Sequence, residues 1–548
     1  MRRKLKLHIP AILTAMLVSG SLYVFGTFNH DLWRPAEPRE AGIAWKMLEN
    51  GNWTATYLNE DLFLEKPPLY TWTIAACLKV FGRQDWAVRV PAFLFTIGTL
   101  ALVFYLARFR LSDIGAQGAA ISLATMALFL EVNHGAMIDN GLMFFVCLAM
   151  TAFYHMQAAD TKRPRAWAAL FYIALALAFL TKGGVGPALV LAAAGGFTIA
   201  GQRWKFIRCR TYPLLGATIL LLLVGGWLAA LWHRGGLEYF NVFFVRNNLD
   251  RLTGQYGPTG NWYHYIPYIF TSAMPWTLLL PAAIWHIRQE WRQPAAAHTK
   301  DYWQLMAWWF GSFFVILSLA GGKDHQYLLP LLPPLAITSG AWIENTINNR
   351  NIPHWAIVLT WIFTVGTVGI ASAMPWLPCM LGARHTGCVV ITALWRFLPV
   401  AAGIMAAHSL AHRHWRHYWR WLAALTVISG FTLGLFVEPA LNRVKSIRPL
   451  SIVLKDNLPP DAQLWGYDLD ENTVGALIFY DHKHHRMEGL GDHLKLLEAD
   501  QPQRILLMSR RPELQPDVVR LTDTGDWEIQ RRFTAGGRWF WLMAPCVD

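Results

Sequence analysis

Basic and acidic side chains gather in six short segments of this chain, beside prolines, glycines or aromatic residues. The segments cover residues 34–40, 63–70, 134–140, 181–184, 243–252 and 321–330. Their cations include Arg39, Lys66, Lys182, Arg246, Arg251 and Lys323, and their carboxylates include Glu37, Glu65 and Asp139. Ammonium and guanidinium groups bind phosphate, and a nearby carboxylate can accept a proton or steady positive charge. The pattern therefore predicts an anion site with acid–base groups beside it.

Each segment could also have a purely structural role, and the sequence does not decide between that role and a functional one. Asp139 can cap the helix that follows it, Lys182 can anchor at a membrane interface, and Tyr327 fits an aromatic belt. A pair such as Glu65 and Lys66 contributes little stability if it is solvated. The functional interpretation rests on all six segments falling on one predicted face of a membrane.

Several common kinds of active site are absent from the sequence. The chain has no Walker A loop, no Rossmann glycine fingerprint and no Ser-His-Asp motif in a usable context. We therefore expect no nucleotide or redox cofactor. A transferred group must then arrive on an activated carrier, and outside the cytoplasm a polyprenyl phosphate is the natural one. A divalent metal near Glu65 is left open, because the chemistry does not require it.

Long apolar segments must hold these side chains in place. Of the 548 residues, 54% are hydrophobic and 15% are charged, and the mean hydropathy is +0.28. This composition excludes a disordered chain and argues against a soluble multidomain enzyme. About thirteen segments have spanning length, at 9–26, 90–107, 114–131, 141–158, 167–181, 184–200, 212–232, 263–286, 302–320, 326–345, 354–374, 390–410 and 420–438. The predicted fold is an all-α polytopic membrane protein.

The distribution of basic residues predicts the topology. Basic loops alternate along the chain, at 108–110, 162–165, 203–210, 288–300, 350 and 412–420. Because such loops stay in the cytoplasm, we expect a cytoplasmic N-terminus, an uncleaved first span and a C-terminus on the outer side. The net charge of +13 is then mostly a product of topology, and no nucleic-acid partner is expected.

Two domains are predicted. Residues 1–440 form the transmembrane domain, and its first periplasmic loop, 29–89, carries interfacial helices at 37–48 and 69–81. Residues 441–548 are more polar and predict a small periplasmic α/β domain, with strands at 504–508 and 539–543 and a helix at 492–499. Cys379 and Cys388 share one outer loop, so a disulfide between them is left open.

The order of several motifs resembles that of the GT-C membrane glycosyltransferases, in particular the bacterial transferases of 4-amino-4-deoxy-L-arabinose to lipid A. It is more distantly similar to the protein O-mannosyltransferases. The family motifs are matched by Glu37 with Arg39, by 51–53 and 64–68, by Asp139, by 180–183, by Asn248 with Arg251 and Leu252, and by 327–330. Glu-Lys-Pro-Pro, Lys-Gly and Tyr-Leu-Leu-Pro in this order are specific, and the resemblance covers nearly the whole chain.

The resemblance implies a role for each matched residue. The carrier phosphate would be held by Lys66, Arg251 and Tyr327, with Glu65 orienting Lys66 and the isoprenoid tail in a groove between spans. The candidate catalytic carboxylates are Glu37, Glu65 and Asp139. The candidate substrate-binding residues are Arg39, Lys182, Arg246, Asn248 and Lys323.

One departure from the family pattern concerns the catalytic acid. The family usually has Asp where this chain has Ala36, and an aromatic residue where it has Glu40. Three interpretations are open. Glu37 takes over with a shifted backbone, or the acceptor is a phosphate that needs no general base, or the enzyme is divergent or weak.

The function predicted from these observations is sugar transfer in a bacterial inner membrane. The donor would be an undecaprenyl-phosphate sugar, and the favoured acceptor is lipid A or a related glycolipid. Alternatives are a protein O-glycosyltransferase of the same fold and a transporter or flippase for a lipid-linked sugar. A transporter would place charges at the midplane and show two similar halves, which this sequence does not. A non-catalytic assembly or sensor protein is a further alternative, supported by Ala36.

Overall fold

The computed structural model describes residues 9–33, 35–157, 161–249, 259–292, 297–349, 351–380, 395–458, 464–467, 469–481, 486–487, 504–509, 523, 525 and 527–546. At 208, 246–249, 297–299, 465, 467, 486–487, 504–509 and 545 only the backbone is described. The chain divides into two compact units, and each is continuous in space but not in sequence.

The first unit comprises Met1–Thr27, Glu65–Tyr70 and Ala92–Val437, and its described part is helical apart from loops and an isolated β-bridge between Thr259 and Gly322. Its α-helices are Ile9–Phe28, Asp85–Ala107, Asp113–Ala124, Ala127–Asn133, Ile138–Gln157, Pro164–Lys182, Val185–Ala200, Trp204–Arg210, Pro213–Leu220, Gly226–Phe240, Tyr265–Ser272, Leu280–Trp291, Ala297–Leu319, Leu332–Asn348, His354–Ala373, Leu377–Met380, Leu398–Ala411 and Trp415–Thr432, the first and second of which extend past its bounds. Shorter π and 3-10 segments lie at Leu221–Gly225, Asn241–Leu249, Trp276–Leu278, His325–Leu331, Met374–Trp376 and Leu433–Val437.

Eight helices of the described chain are long and apolar enough to cross a membrane. They are Ile9–Phe28, Asp85–Ala107, Ile138–Gln157, Pro164–Lys182, Pro213–Val245, Lys300–Leu319, His354–Met380 and Trp415–Lys445. A ninth results if Asp113–Ala124 and Ala127–Asn133, which are bent by 65°, count as one span. The count of thirteen stays a prediction. Some of the expected spans are interrupted, as where residues 263–286 form two helices and a 3-10 turn around Pro275.

Small residues allow close helix packing in the first unit. A Cβ atom added to Gly340 would collide with the backbone carbonyl of Gly115, so the helices Asp113–Ala124 and Leu332–Asn348 need glycine where they meet. The hydroxyl and the backbone N–H of Ser112 donate to Glu344 Oε2 at 2.7 and 2.6 Å. This bond satisfies the start of one helix and a carboxylate near the end of the other.

The second unit comprises Phe28–Leu64, Thr71–Pro91 and Glu438–Asp548. Its helices are Glu37–Asn50, Leu69–Phe81 (all but its first two residues), Glu438–Lys445, Arg448–Asn457 and Glu471–Tyr480, and a hairpin pairs Tyr57–Leu58 with Asp61–Leu62. A five-stranded sheet has the spatial order Arg486–Met487, Leu464–Tyr467, Arg504–Ser509, Arg538–Pro545, Trp527–Ala535. The first three strands are parallel, and the last two pair antiparallel. Buried Leu450, Leu454, Leu477, Phe540 and Leu542 form its core.

Two helices and two strands predicted for this unit are present in its described part. The helices expected at 37–48 and 69–81 are present as Glu37–Asn50 and Leu69–Phe81. The strands expected at 504–508 and 539–543 are present as Arg504–Ser509 and Arg538–Pro545. The helix expected at 492–499 lies outside the described residues. The predicted division assigned the first loop to the transmembrane domain, whereas the compact units group most of it with the last segment of the chain.

The sequence leaves a disulfide between Cys379 and Cys388 open. The thiol of Cys379 is free and exposed, and Arg396 Nη2 donates to its Sγ at 3.0 Å. Cys388 lies outside the described residues, so the question of a disulfide stays open.

Candidate active site

A buried ion pair joins the ends of two neighbouring helices in the first unit. Asp139 lies in the first turn of Ile138–Gln157, and Lys182 is the last residue of Pro164–Lys182, which Gly183 ends with a φ of 71°. Lys182 Nζ donates to Asp139 Oδ1 at 2.5 Å, and the two side chains are 9% and 4% exposed. An acid at a helix N-terminus and a base at a helix C-terminus both complement the helix dipole. Each charge therefore sits where its helix favours it.

Tyr327 completes this arrangement. Asp324 caps the 3-10 helix His325–Leu331 by accepting a bond from the backbone N–H of Gln326, and Tyr327 follows in that helix. The ring centroid of Tyr327 lies 4.6 Å from Lys182 Nζ, which is a cation–π contact. Asp139, Lys182 and Tyr327, from three elements, form what is called here the Lys182 cluster. The sequence predicted all three residues as site residues, but not their contacts.

Lys323 stands near this cluster in sequence but has its own partners. Its ammonium donates to the carbonyls of Leu317 and Ser318 at 2.8 and 2.7 Å, and it lies 5.0 Å from the ring of Tyr265. The hydroxyl of Tyr265 bonds the backbone of Asp324. Lys323 thus caps the helix that ends at Leu319 and fixes the loop before Tyr327. Its predicted substrate-binding role stays a prediction.

The Glu65–Lys66 segment precedes two prolines and the helix that begins at Leu69. Both side chains are half-buried, and Lys66 Nζ donates to the backbone carbonyl of Glu65 at 3.2 Å. A proline fixes its own φ angle and restricts the conformation of the residue before it. The Lys66 ammonium is therefore carried on a stiff segment. The predicted orienting role of the Glu65 carboxylate is not tested by this bond.

Glu37 lies in the second unit, where Arg89 engages it. Arg89 Nε donates to Glu37 Oε1 at 2.6 Å and its Nη2 to Oε2 at 3.0 Å, and the backbone N–H of Trp33 donates to Oε2 at 2.8 Å. The side chains of Arg89 and Glu37 are 1% and 4% exposed. Burial raises the pKa of the Glu37 carboxyl, but the Arg89 charge outweighs it, so the pKa lies below its usual value. Both oxygens of this carboxylate are already bonded.

Arg89 also bonds to the backbone of His30 and Asp31, which precede Glu37. Arg89 Nη1 donates to the carbonyl of His30 at 2.8 Å, and its Nη2 donates to that of Asp31 at 2.5 Å. Burial and then the Arg89 charge lower the pKa of His30 to about 4. Ser446 and Asn442 donate to the Asp31 carboxylate. Arg89 is therefore the centre of a buried polar network.

Arg39 is also engaged within the second unit. Its Nη1 donates to Glu471 Oε2 at 2.8 Å and its Nη2 to Glu40 Oε1 at 3.0 Å. Glu40 stands where the resemblance implies an aromatic residue, and here it pairs with the neighbouring arginine. The predicted contact of Arg39 with substrate stays a prediction.

Some predicted site residues have no described side chain. Arg246 and Asn248 lie in the π-helix Asn241–Leu249, of which only the backbone is described there, and Arg251 lies outside the described residues. Within the described ranges, no three metal-ligating side chains come together, so a metal near Glu65 stays an open prediction. Sequence reasoning missed Arg89, although an arginine in the apolar helix Asp85–Ala107 is a signal that could have revealed it.

Comparisons with known proteins agree on one class. The model of a family described as dolichyl-phosphate-mannose-protein mannosyltransferase matches residues 65–229. The undecaprenyl phosphate-alpha-4-amino-4-deoxy-L-arabinose arabinosyl transferase of Edwardsiella ictaluri is 29% identical over 416 residues, which cover 74% of this chain and 72% of that protein. The protein of the same name from Pseudomonas aeruginosa is 30% identical over 329 residues, 59% of this chain and 58% of that one.

Two solved structures share the fold. The crystal structure of ArnT from Cupriavidus metallidurans bound to undecaprenyl phosphate matches with a TM-score of 0.73 at 19% identity and covers 97% of both chains. The archaeal oligosaccharyltransferase AglB from Archaeoglobus fulgidus matches with a TM-score of 0.54 at 12% identity, over 92% of this chain and 69% of that one.

The chain shares its fold with membrane glycosyltransferases of the GT-C type, and the matched relatives indicate that it is a glycosyltransferase. Within that class it resembles the bacterial 4-amino-4-deoxy-L-arabinose transferases and, more distantly, the protein O-mannosyltransferases. The resemblance predicted from the motifs is confirmed.

Proposed function

We propose that this protein transfers a sugar from undecaprenyl phosphate to a glycolipid acceptor of the lipid A type, at the outer face of a bacterial inner membrane. The Lys182 cluster carries this proposal, because it places a buried cation and a carboxylate together in a GT-C fold. The names of the relatives and the carrier lipid bound to the Cupriavidus ArnT support the choice of donor. We place the N-terminus in the cytoplasm and the C-terminal segment in the periplasm, on the basic loops alone.

The reaction sets the electrostatic requirements of the site. An oxygen of the acceptor attacks the anomeric carbon of the sugar, and the bond from that carbon to the carrier phosphate oxygen breaks. The phosphate leaves with the bonding electron pair, while the sugar carries positive character in the transition state. Fixed cations near the phosphate and a fixed carboxylate near the sugar stabilise this distribution of charge.

The Lys182 cluster fits this requirement. The Lys182 ammonium stabilises the departing negative charge, and Asp139 holds it in place and faces the positive character of the sugar. The Tyr327 ring restricts the ammonium from a third side at 4.6 Å. Because the pair is almost fully buried, its field is weakly screened by water. Lys66 and Arg251 are proposed to hold the carrier phosphate itself.

The contacts of Glu37 bear on the acceptor. A general base needs a free oxygen within reach of the proton it takes. Both Glu37 oxygens are bonded, to Arg89 and to the backbone of Trp33. Of the three interpretations of Ala36, this arrangement favours an acceptor that is already anionic, such as a phosphate, which needs no base.

A protein acceptor is a second candidate. Its support is the match of residues 65–229 to a family described as protein mannosyltransferases. Both candidates share the donor chemistry and differ only in where the sugar arrives, so one experiment separates them.

The test compares a deletion strain carrying wild-type protein, Asp139→Asn, Lys182→Met or the control Glu131→Gln. Glu131 is a suitable control because its carboxylate is 63% exposed and lies on a neighbouring helix of the same unit. Intact mass spectrometry of lipid A and of envelope glycoproteins is the measurement. We expect the sugar adduct on lipid A to fall by about 100-fold or more in the two cluster variants, since one preorganised group contributes about that much.

The outcomes are distinct. Adducts should persist with Glu131→Gln, and all variants should be present in the membrane at equal levels. An adduct on glycoproteins with unchanged lipid A would select the protein acceptor. Identical lipid A and glycoproteins in the deletion and wild-type strains would refute both candidates.

A further inference from the structure

A cavity lies within the first unit, and no residue of the Lys182 cluster lines it. Its volume is about 620 Å³, within the range of sites that bind small molecules. The cavity lies among the helices Ile9–Phe28, Asp113–Ala124, His354–Ala373 and Trp415–Thr432. Ile114 and Ile370 on its lining are 39% and 59% exposed, so it opens at the surface of the unit. In a membrane-spanning helix bundle that surface faces lipid.

Most side chains that line this cavity are apolar, and the threonines among them have their hydroxyls bonded within their own helices. Four threonines line it, but each hydroxyl donates to a carbonyl of its own helix. The bonds run from Thr14 to Pro10, Thr125 to Ile121, Thr367 to Phe363 and Thr426 to Leu422, at 2.7 to 3.0 Å. With the threonine hydroxyls satisfied, the wall offers mainly hydrocarbon contact; the side-chain amide of Gln117 donates to the carbonyl of Ala11, and Ser429 adds one hydroxyl. A sugar or another polar ligand would lose its bonds to water there without replacement.

One end of the cavity is cationic. Arg416 and Arg420 both line it and lie four residues apart in Trp415–Thr432, so they share a face of that helix. Neither side chain has a hydrogen bond or an ion pair with any residue that the structure describes. No carboxylate is among the lining residues of the described chain. Among the described residues, this end of the cavity therefore has two positive charges and no carboxylate to pair with them.

The position of this end is fixed by a bond between helices. Trp419, which lies between the two arginines and also lines the cavity, donates from Nε1 to Thr346 Oγ1 at 2.8 Å. Thr346 stands near the C-terminal end of Leu332–Asn348. This bond attaches the start of Trp415–Thr432 to Leu332–Asn348. It thereby fixes the position of both arginines at the cationic end of the cavity.

We infer that this cavity binds an anionic glycerophospholipid, with its phosphate at Arg416 and Arg420 and an acyl chain along the apolar wall. From Arg416 to Ser429, both lining residues, the helix rises by about 20 Å. Half of a hydrocarbon core is about 15 Å thick, so the wall accommodates a chain from one leaflet beyond the midplane. The basic segment 412–420 predicts that this is the cytoplasmic leaflet. The inference does not depend on the proposed transfer reaction.

The test uses purified, delipidated full-length protein in detergent. Palmitoyl-oleoyl phosphatidylglycerol and the corresponding phosphatidylcholine are added separately, and native mass spectrometry measures the bound fraction. We expect wild-type protein to prefer the anionic lipid by about 30-fold, which corresponds to two charges at about 1 kcal/mol each. Arg416→Gln with Arg420→Gln should remove this preference. The matched control is Arg288→Gln with Arg292→Gln, two exposed arginines at the same spacing that do not line the cavity.

A third variant tests the location of the acyl chain. Ala423 lines the cavity one turn beyond Arg420, and Ala423→Trp should fill it and reduce retention of both lipids by at least tenfold. Ala423→Leu is the milder substitute if the tryptophan variant does not elute as a monodisperse peak. Equal binding of the two lipids by wild-type protein would overturn the inference. So would an equal loss of preference in both double variants, or retention unaffected by either change at Ala423.

Discussion

The pair of Glu37 and Arg89 offers a direct way to separate a structural carboxylate from a catalytic one. Arg89→Met removes the cation but leaves a carboxylate that is 4% exposed. Breaking a buried pair from one side costs about 3–5 kcal/mol, because the remaining charge has no partner and little water. For a unit of this size we expect the melting temperature to fall by about 10 °C. Glu37→Met and Glu37→Gln should also destabilise, since each removes the carboxylate that pairs with the guanidinium.

The double variant Glu37→Met with Arg89→Met removes both charges at once. Replacing a whole buried pair with apolar side chains is often neutral, but here the Trp33 N–H and the carbonyls of His30 and Asp31 also lose partners. We therefore expect the double variant to recover about half of the loss seen in Arg89→Met. Because the single change at Glu37 also destabilises, the coupling energy between the two sites should exceed about 2 kcal/mol.

Melting of purified protein, followed by tryptophan fluorescence, measures this coupling, and lipid A mass spectrometry reports transfer in the same variants. Lys46→Met is a suitable control, because its partner Glu60 is 78% exposed and stays solvated, so the loss should be within about 1 kcal/mol. A double variant that regains transfer along with stability supports the structural role. The reasoning is refuted if Glu37→Gln melts like the wild type and yet abolishes transfer.

Two further predictions concern the second unit. The buried His30 has a pKa lowered to about 4, first by burial and then by the Arg89 charge. The unfolded chain binds a proton near pH 6.5 and the folded chain does not, so stability should fall as the pH drops below about 6.5. We expect about 2 kcal/mol less stability at pH 5 than at pH 7 from this group, and a shallower pH dependence of melting in His30→Gln; identical profiles would contradict it. A Cβ added to Gly42 would lie 2.5 Å from Gly475 Cα, so Gly42→Ala should destabilise by about 1–3 kcal/mol, whereas Gly226→Ala, with open space around it, should not; equal melting of the two variants would count against the close contact.

Local signals explain which elements were predictable. The helix Leu69–Phe81 has the bounds that its amphipathic pattern predicts. Two prolines precede it, and Gly82, with a φ of 78°, follows it, so both of its ends have a local cause. The span expected at 263–286 was less well predicted. Its hydropathy is that of one helix, but the chain breaks at Ala273 and Pro275. A proline lacks the N–H that a continuous helix needs and restricts the residue before it, and hydropathy does not register that effect.

In the candidate site, too, local sequence predicts the residues but not their contacts. Asp139 and Lys182 could be selected from the sequence, because a charge beside an apolar span costs free energy and therefore marks a candidate functional site. Their pairing across 43 residues could not, since it depends on how two helices pack. Likewise the pairing of Glu37 with Arg89, 52 residues away in Asp85–Ala107, could not be predicted, because it too depends on how two helices pack.

The discontinuous second unit has a consequence for the time course of biosynthesis. Glu37–Asn50 packs against Glu471–Tyr480 at Gly42 and Gly475, and the ion pair of Arg39 and Glu471 joins residues separated by 432 positions. At 5–20 residues per second, the ribosome needs about 20 to 90 s to make the second helix after the first. During that interval the glycine face of the early helix has no partner. The nascent chain must therefore be kept from aggregating until its last hundred residues arrive.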